Sequence, residues 1–424
     1  MHGPRDRAAP GAARLEIGTL RTMDLPRRGG LGLFIVGVYL TSCQDPVQDA
    51  PGPLSGGDER DADVDAQSDP PGGIPTQGGE DEDPPMSPCE GMPALGEALP
   101  DDCEIQTEPT QPEPPGPPSP PDLPLFFEGS TTFVVLPDTQ FYAARYPSIF
   151  SLQTSWIAQS AVEHNIAYVF HLGDIVNSNS TMEWKRASAA MAELDGLVPY
   201  GLVTGNHDYG PYGKATTRET LLNDWFSFDD VELMPSFGGA YQPGRLDNTY
   251  HLFDAGPHSW IAVLLEWAPR DEVVAWANSV MEQHPDRLGI LVTHAYLNYN
   301  DHRLDHTING QSPHNPHHYG TPGAVNDGEE LWQKLVRRHR FVLTLSGHIL
   351  GDGTGHLASV NDHGRVVHQI LSNYQHREFG GEGFLRLLEL MPDGRTMHVR
   401  TYSPLLEQRL TAPDQQFVIE LDVD

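Results

Sequence analysis

Five short stretches of the chain end an apolar run in side chains able to hold a metal ion. They are LPDTQ, with Asp138 and Gln140; HLGDIVN, with Asp174; VTGNHD, with Asn206, His207 and Asp208; LVTH, with His294; and LSGH, with His348. One such ending is ordinary, because Asp and Asn after a strand commonly form a turn or cap a helix. Five in succession ask for another cause. Carboxylate and amide oxygens suit hard divalent ions, and imidazoles suit zinc, iron or manganese, so the set reads as a metal centre with mixed ligands. Asp138 and Gln140 raise a question, since a site of this kind usually wants a carboxylate and a histidine two residues apart. Metallopeptidase chemistry has little support, for no H-E-x-x-H occurs.

The elements that must position these residues are legible in the hydrophobic pattern. TTFVVLP is a strand, 148–164 has helical spacing, AYVFHLGD is a second buried strand, 182–194 is helical, and PYGLVTGNHD is a third strand. Alternation of this sort, with apolar strands, argues for a sheet covered by helices on both faces. NTYHLFDA and HSWIAVLLEW then follow as strands, a helix covers about 271–284, and LGILVTH is a further strand. A loop rich in His and Asn, 295–327, precedes a helix at 328–340 and the strand FVLTLSGH. The tail supplies RVVHQIL, FLRLLEL, MHVRTYSP and FVIELDV. In strand sheets of this kind ligands bind beyond the carboxyl ends of the strands, which is where the five motifs fall. The loop, with His302, His306, His314, His317 and His318, directly follows His294 and is expected to wall the site. Its histidines read as solvated rather than as a separate zinc site. SNYQ at 372–375 either reaches the site or simply ends a strand, and His171 is expected to be a packed or hydrogen-bonded core residue.

Composition divides the chain of 424 residues into three. Residues 44–124 hold 20 of the 38 prolines, 20 acidic residues and one basic residue, Arg60. That segment cannot bury enough apolar surface to offset chain entropy and is expected to be a disordered tether. Residues 125–424 carry all seven tryptophans and 19 of the 20 histidines, enough for one large core. Of the formal charge of −33, the tether contributes −19 and residues 125–424 contribute −17. An acidic domain is poorly suited to sequence-independent nucleic-acid binding, so no such partner is expected. In residues 1–43, Arg27 and Arg28 precede an apolar run from Leu31 to Leu40, too short to span a bilayer but suited to a signal peptide. The run closes in Leu40-Thr41-Ser42-Cys43, which resembles the lipobox of bacterial lipoproteins. The resemblance implies a lipid on Cys43, export and a membrane anchor, with Gln44 favouring the outer membrane. The tether would give a reach of roughly 50 Å. Cys89 and Cys103 form a small disulfide loop or stay as free thiols.

The order and wording of the five motifs resemble the calcineurin-like metallophosphoesterase superfamily, whose blocks run D-x-H, G-D, G-N-H-[DE], a lone histidine, and G-H-x-H. Here they stand as Asp138-x-Gln140, Gly173-Asp174, Gly205-Asn206-His207-Asp208, His294 and Gly347-His348, within about residues 130–405. LPDTQ, with THAYL, NDGEELW and TYSP, is similar to a subgroup with glutamine in the first block. The resemblance implies an α/β fold of two facing mixed sheets flanked by helices, and up to two divalent ions (Mn, Fe, Zn or Mg) bridged by an aspartate and a water or hydroxide. Carried over, Asp174 is the bridge, Asp138 and Gln140 serve the first metal, and Asn206, His294 and His348 serve the second. His207 would protonate the leaving oxygen or hold a phosphoryl oxygen, with Asp208 orienting its ring. Two family ligands are changed: Gln140 replaces one histidine and Leu350, in GHIL, the other. Both belong to the first metal, which is therefore expected to be weakly held and oxygen-ligated. Asp352 or His356 are the residues nearby that could replace the missing ligand. The implied activity is hydrolysis of phosphomonoesters or phosphodiesters outside the cytoplasm. The alternative is a catalytically degenerate module of the same fold that binds a ligand or partner.

Overall fold

A computed structural model describes residues 126–424. The expected signal peptide with Cys43, the tether, Cys89 and Cys103 lie outside the described residues. The strands form two seven-stranded sheets. The first runs, edge inward, through Gln408–Leu410, Thr396–Ser403, Leu385–Leu390, Thr131–Leu136, Ile166–His171 and Tyr200–Leu202, with Gln416–Glu420 also paired to Thr396–Ser403. The second runs through Phe237–Ala240, Thr249–Ala255, His258–Leu265, Leu288–Thr293, Phe341–Ser346, Val366–Ser372 and Thr354–Val360.

Side-chain alternation decides how the sheets are covered. In the first strand Phe133 and Val135 face the core between the sheets, where they join Tyr168, Phe170, Trp260, Leu264, Ile290 and Val292. Val134 and Leu136, on the other side of the same strand, pack with Phe150, Ile157 and Trp184 from the helices Pro147–Ser160 and Thr181–Met191. The second sheet turns Ile261, Val263 and Leu291 to a third core under the helix Asp271–Gln283. A strand buried on both faces thus has a sheet on one side and helices on the other. The sequence-based expectation of helices on both faces of one sheet is corrected in that respect, and the fold is the two-sheet α/β sandwich.

Thr131–Leu136, Ile166–His171 and Tyr200–Leu202 are mutually parallel. So are His258–Leu265, Leu288–Thr293, Phe341–Ser346 and Val366–Ser372. The carboxyl ends of these strands carry all five motifs. The expected helix at 328–340 is shorter: it covers Gly328–Lys334, capped by Asp327 and Glu330, and a 3-10 turn at Val336–Arg338 follows.

Candidate metal centre

Asp174 sits at the middle of the site and is held in an unusual backbone conformation. Its φ is +47°, and that of His348 is +69°. For residues with a Cβ this left-handed region costs roughly 1–2 kcal/mol, and such strain gathers at functional sites. The neighbouring loops close tightly over the carboxylates. A Cβ added at Gly205 would fall on the Asp174 carboxylate, and one at Gly347 on that of Asp138.

Three of the six sequence-expected ligands converge. One ligand atom each of Asp174, His294 and His348 lies within 4.8 Å of the others, and all three residues are buried. His294 Nδ1 donates to the Leu172 carbonyl at 2.7 Å, and its Nε2 faces Asp174 Oδ2, 3.2 Å away. His348 Nε2 lies 2.8 Å from the His314 carbonyl and must carry the ring proton there, which leaves Nδ1 as its donor atom. Asp138 accepts the His348 N–H at 3.1 Å and Asn373 Nδ2 at 2.9 Å. Gln140 Nε2 donates to Gln375 Oε1, and the Gln375 N–H bonds Asn373 Oδ1 at 3.0 Å. SNYQ therefore reaches the site: Asn373 and Gln375 hold the two side chains of LPDTQ. The only signal for them in the sequence was their place after a further parallel strand, Val366–Ser372.

Among the motif residues, the buried polar atoms Gln140 Oε1, Asn206 Oδ1 and His294 Nε2 have no hydrogen-bond partner. An orphaned buried acceptor costs about 1–3 kcal/mol, so the amide oxygens of Gln140 and Asn206, in the cavity wall they share with Asp174, suit a ligand that accepts electron pairs. Electrostatics agree. Burial would push the Asp174 carboxyl up, but the facing His294 imidazole, with His207 adding, holds it well below the usual carboxylate range. Burial pushes Asp138 up to about 7, with the Asp174 charge working in the same direction against His294. Burial alone would lower His294, yet Asp174 and Asp138 raise it to about 9. Burial and the charge of His294 push His348 down to about 3. The donor set calls for positive charge, and residues and charge alike fit divalent cations.

His207 and Asp208 differ from each other in role. The His207 N–H donates to Asp174 Oδ1 at 2.8 Å and its Nδ1 lies 2.8 Å from the Asn177 carbonyl, so Nε2 is the free ring nitrogen. Asp208 was expected to orient that ring. It accepts instead from the backbone N–H groups of Gly205, Val176 and Ile175, at 2.8, 2.9 and 3.2 Å, and so pins the Asp174 loop to the Asn206 loop. His171 is a core residue as expected: its Nε2 meets Thr139 Oγ1 at 2.9 Å, and burial lowers its pKa to about 3.

A cavity of about 560 Å³ opens over the centre, walled by Gln140, Asp174, Asn206, His207, His348 and Leu350, among others. His314 and Tyr319 also line it, which places the 295–327 loop in the wall as expected. Neither Asp352 nor His356 lines this cavity. Asp352 Oδ1 accepts the Thr354 N–H at 3.2 Å, and His356 Nε2 lies 3.0 Å from His368 Nδ1. Leu350 is thus an apolar wall with no substitute ligand from either.

Comparison with known proteins adds the following. Residues 131–352 match the family model described as calcineurin-like phosphoesterase. A Bacillus subtilis (strain 168) protein, described as uncharacterized protein YvnB, is 35% identical over 286 residues, which cover 66% of this chain and 20% of the relative. The chain spans about a fifth of that relative's length. Purple acid phosphatase PPD1 from yellow lupin (Lupinus luteus) seeds superposes with a TM-score of 0.42 and 14% identity, over 69% of this chain and 54% of its own. For NAD nucleotidase of Haemophilus influenzae the values are 0.33 and 11%, over 69% and 50%.

Proposed function

The chain belongs to the calcineurin-like phosphoesterase family, and from that premise we propose that it is an exported, metal-dependent hydrolase of phosphomonoesters or phosphodiesters. The observation that supports the reading is the pair of unpartnered buried oxygens, Gln140 Oε1 and Asn206 Oδ1, in the cavity wall shared with Asp174, which His294 Nε2 faces. Asp174 would be shared between two ions, Asn206, His294 and His348 would hold one, and Asp138 and Gln140 the other. When bound, such ions supply Lewis acidity toward the phosphoryl group and acidify a water.

The chain's own residues do the rest. The cavity admits a phosphoryl group between His207 and the carboxylates, and its tight glycine-lined loops keep Asp138 and Asp174 from shifting. His207, anchored through Nδ1 on Asn177, presents Nε2 to the cavity. There it can give a proton to the leaving oxygen, or hold a phosphoryl oxygen. Asn373 and Gln375 orient Asp138 and Gln140, so a first-metal ligand set of oxygens alone is held from behind by a rigid amide chain. Because Leu350 offers no donor, this site is the weaker of the two and favours manganese or magnesium over zinc.

Leu350 in the cavity wall favours a second reading, a degenerate module that binds a ligand without turning it over. Hydrolysis of p-nitrophenyl phosphate and of its bis-ester, with and without EDTA, separates the two. EDTA-sensitive turnover of either ester supports the hydrolase, and no turnover with added manganese supports the binder. Lipid attachment at Cys43, with the tether spacing the domain from an outer membrane, completes the proposal.

A further inference from the structure

We propose that His306, His317, Asp327 and Glu330 form a separate metal site, fit for a zinc-like divalent ion, that clamps the loop walling the cavity. One ligand atom from each of the four lies within 4.8 Å of the others. His306 Nδ1 is 2.9 Å from Asp327 Oδ2 and 3.9 Å from Glu330 Oε2, and His317 Nε2 is 2.7 Å from Glu330 Oε2. The two imidazole rings stack with centroids 3.8 Å apart. Two imidazoles and two carboxylates make a four-ligand set of the kind zinc accepts in tetrahedral sites. Sequence spacing alone gave no reason to prefer these two of the five loop histidines; the fold selects them.

The carboxylates are preset rather than merely nearby. Asp327 is fully buried, and its Oδ2 also accepts the His306 N–H at 2.7 Å and Asn315 Nδ2 at 3.0 Å. Asp327 and Glu330 form the capping box of the helix Gly328–Lys334. Lys334 Nζ neutralises the other Glu330 oxygen, Oε1, at 3.1 Å, which leaves Oε2 facing the histidines. Supporting bonds of this kind orient ligating carboxylates in metal sites. On binding the ion, each ring nitrogen now facing a carboxylate would release its shared proton to solvent and offer its lone pair.

The clamp's position supplies its purpose. His306 and His317 close the segment 306–317 into a loop, and within it lies His314, whose carbonyl fixes His348 Nε2. An ion joining the loop's two ends to the helix would hold the carbonyl that sets the ring of a ligand in the main centre. The four residues of the clamp are not shared with that centre, so its existence does not depend on hydrolytic activity.

The test is zinc binding to EDTA-stripped full-length protein, followed by equilibrium dialysis with metal analysis and by thermal unfolding. It uses wild type, His306→Ala/His317→Ala, and both in a His294→Ala background that disables the main centre. These clamp histidines are partly exposed, so their removal leaves the core intact. The expected result is that the double variant binds one zinc fewer in each background and, in the His294→Ala background, loses the zinc-dependent rise in melting temperature. His302→Ala/His318→Ala, which removes two loop histidines outside the clamp, should bind as wild type does. If His294→Ala misfolds, the wild-type background decides. Equal zinc counts with and without His306 and His317, or an equal loss in the His302/His318 control, would overturn the proposal.

Discussion

Gln140 is one of two residues at which this chain departs from the family motif, and its contacts bear on the proposed first metal site. Its amide nitrogen is spent on Gln375, and its oxygen is buried without a partner. A neutral oxygen donor holds an ion less firmly than an imidazole, so Gln140→His should raise manganese affinity at the first site by about 10-fold or more, read by metal titration of the stripped protein. His207 supports a different prediction. With Nε2 free and no part in holding Asp174 except through its backbone, His207→Ala should lower kcat on alkyl phosphates by about 100-fold. It should spare p-nitrophenyl esters and keep metal content unchanged. Loss of metal together with equal losses on both substrates would assign His207 a structural role. The sequence made Asp138, Asp174, Asn206, His294 and His348 visible because each ends an apolar run. Asp208 was misread because adjacency to His207 in sequence says nothing of direction: a 3-10 turn at Asn206–Asp208 sends the carboxylate back to backbone N–H groups.

The central parallel strands were legible because burial on both faces leaves near-continuous apolar runs. That same burial hides what lies on each face, which is why the sequence pattern suited helices on both sides as well as it suited a second sheet. The edge strands Phe237–Ala240, Thr354–Val360 and Gln408–Leu410 were not legible, since they are short or half-exposed and draw their pairing from a neighbour. The loop after Val366–Ser372 matters more than its wording suggests. Asn373→Ala removes the donor on Asp138 Oδ2 and should weaken manganese binding several-fold while leaving the second metal in place, as metal analysis would show. Far from the centre, Glu389 joins three parts of the first sheet. It pairs with Arg400 at 2.6 Å and accepts Ser130 Oγ at 2.6 Å, all buried. Glu389→Gln should cost about 3 kcal/mol, because it leaves the Arg400 charge buried without its counter-ion. A shift of the urea midpoint at unchanged slope would measure this.

At the scale of the whole molecule, the proposed anchor and the acidic charge each carry an expectation. Among the described residues no helix is long and apolar enough to cross a membrane; the proposed bilayer attachment rests on the lipobox-like Leu40-Thr41-Ser42-Cys43. Cys43→Ser should move the protein from the membrane fraction to the soluble fraction of the same compartment, and unchanged partitioning would remove the anchor from the account. The charge of −17 on residues 125–424 is expected to disfavour binding to anionic polymers. The centre's asymmetry is the claim on which the functional reading rests. It is tested by titrating EDTA-stripped protein with manganese in the His306→Ala/His317→Ala background, where the loop site does not contribute, while bound metal and bis-p-nitrophenyl phosphate hydrolysis are followed together. The account predicts one tightly bound equivalent with little turnover, then activity that climbs as a second, weaker equivalent fills. Two equally tight ions would contradict the asymmetry, and filled sites with no hydrolysis of this ester or of p-nitrophenyl phosphate would contradict the hydrolase itself.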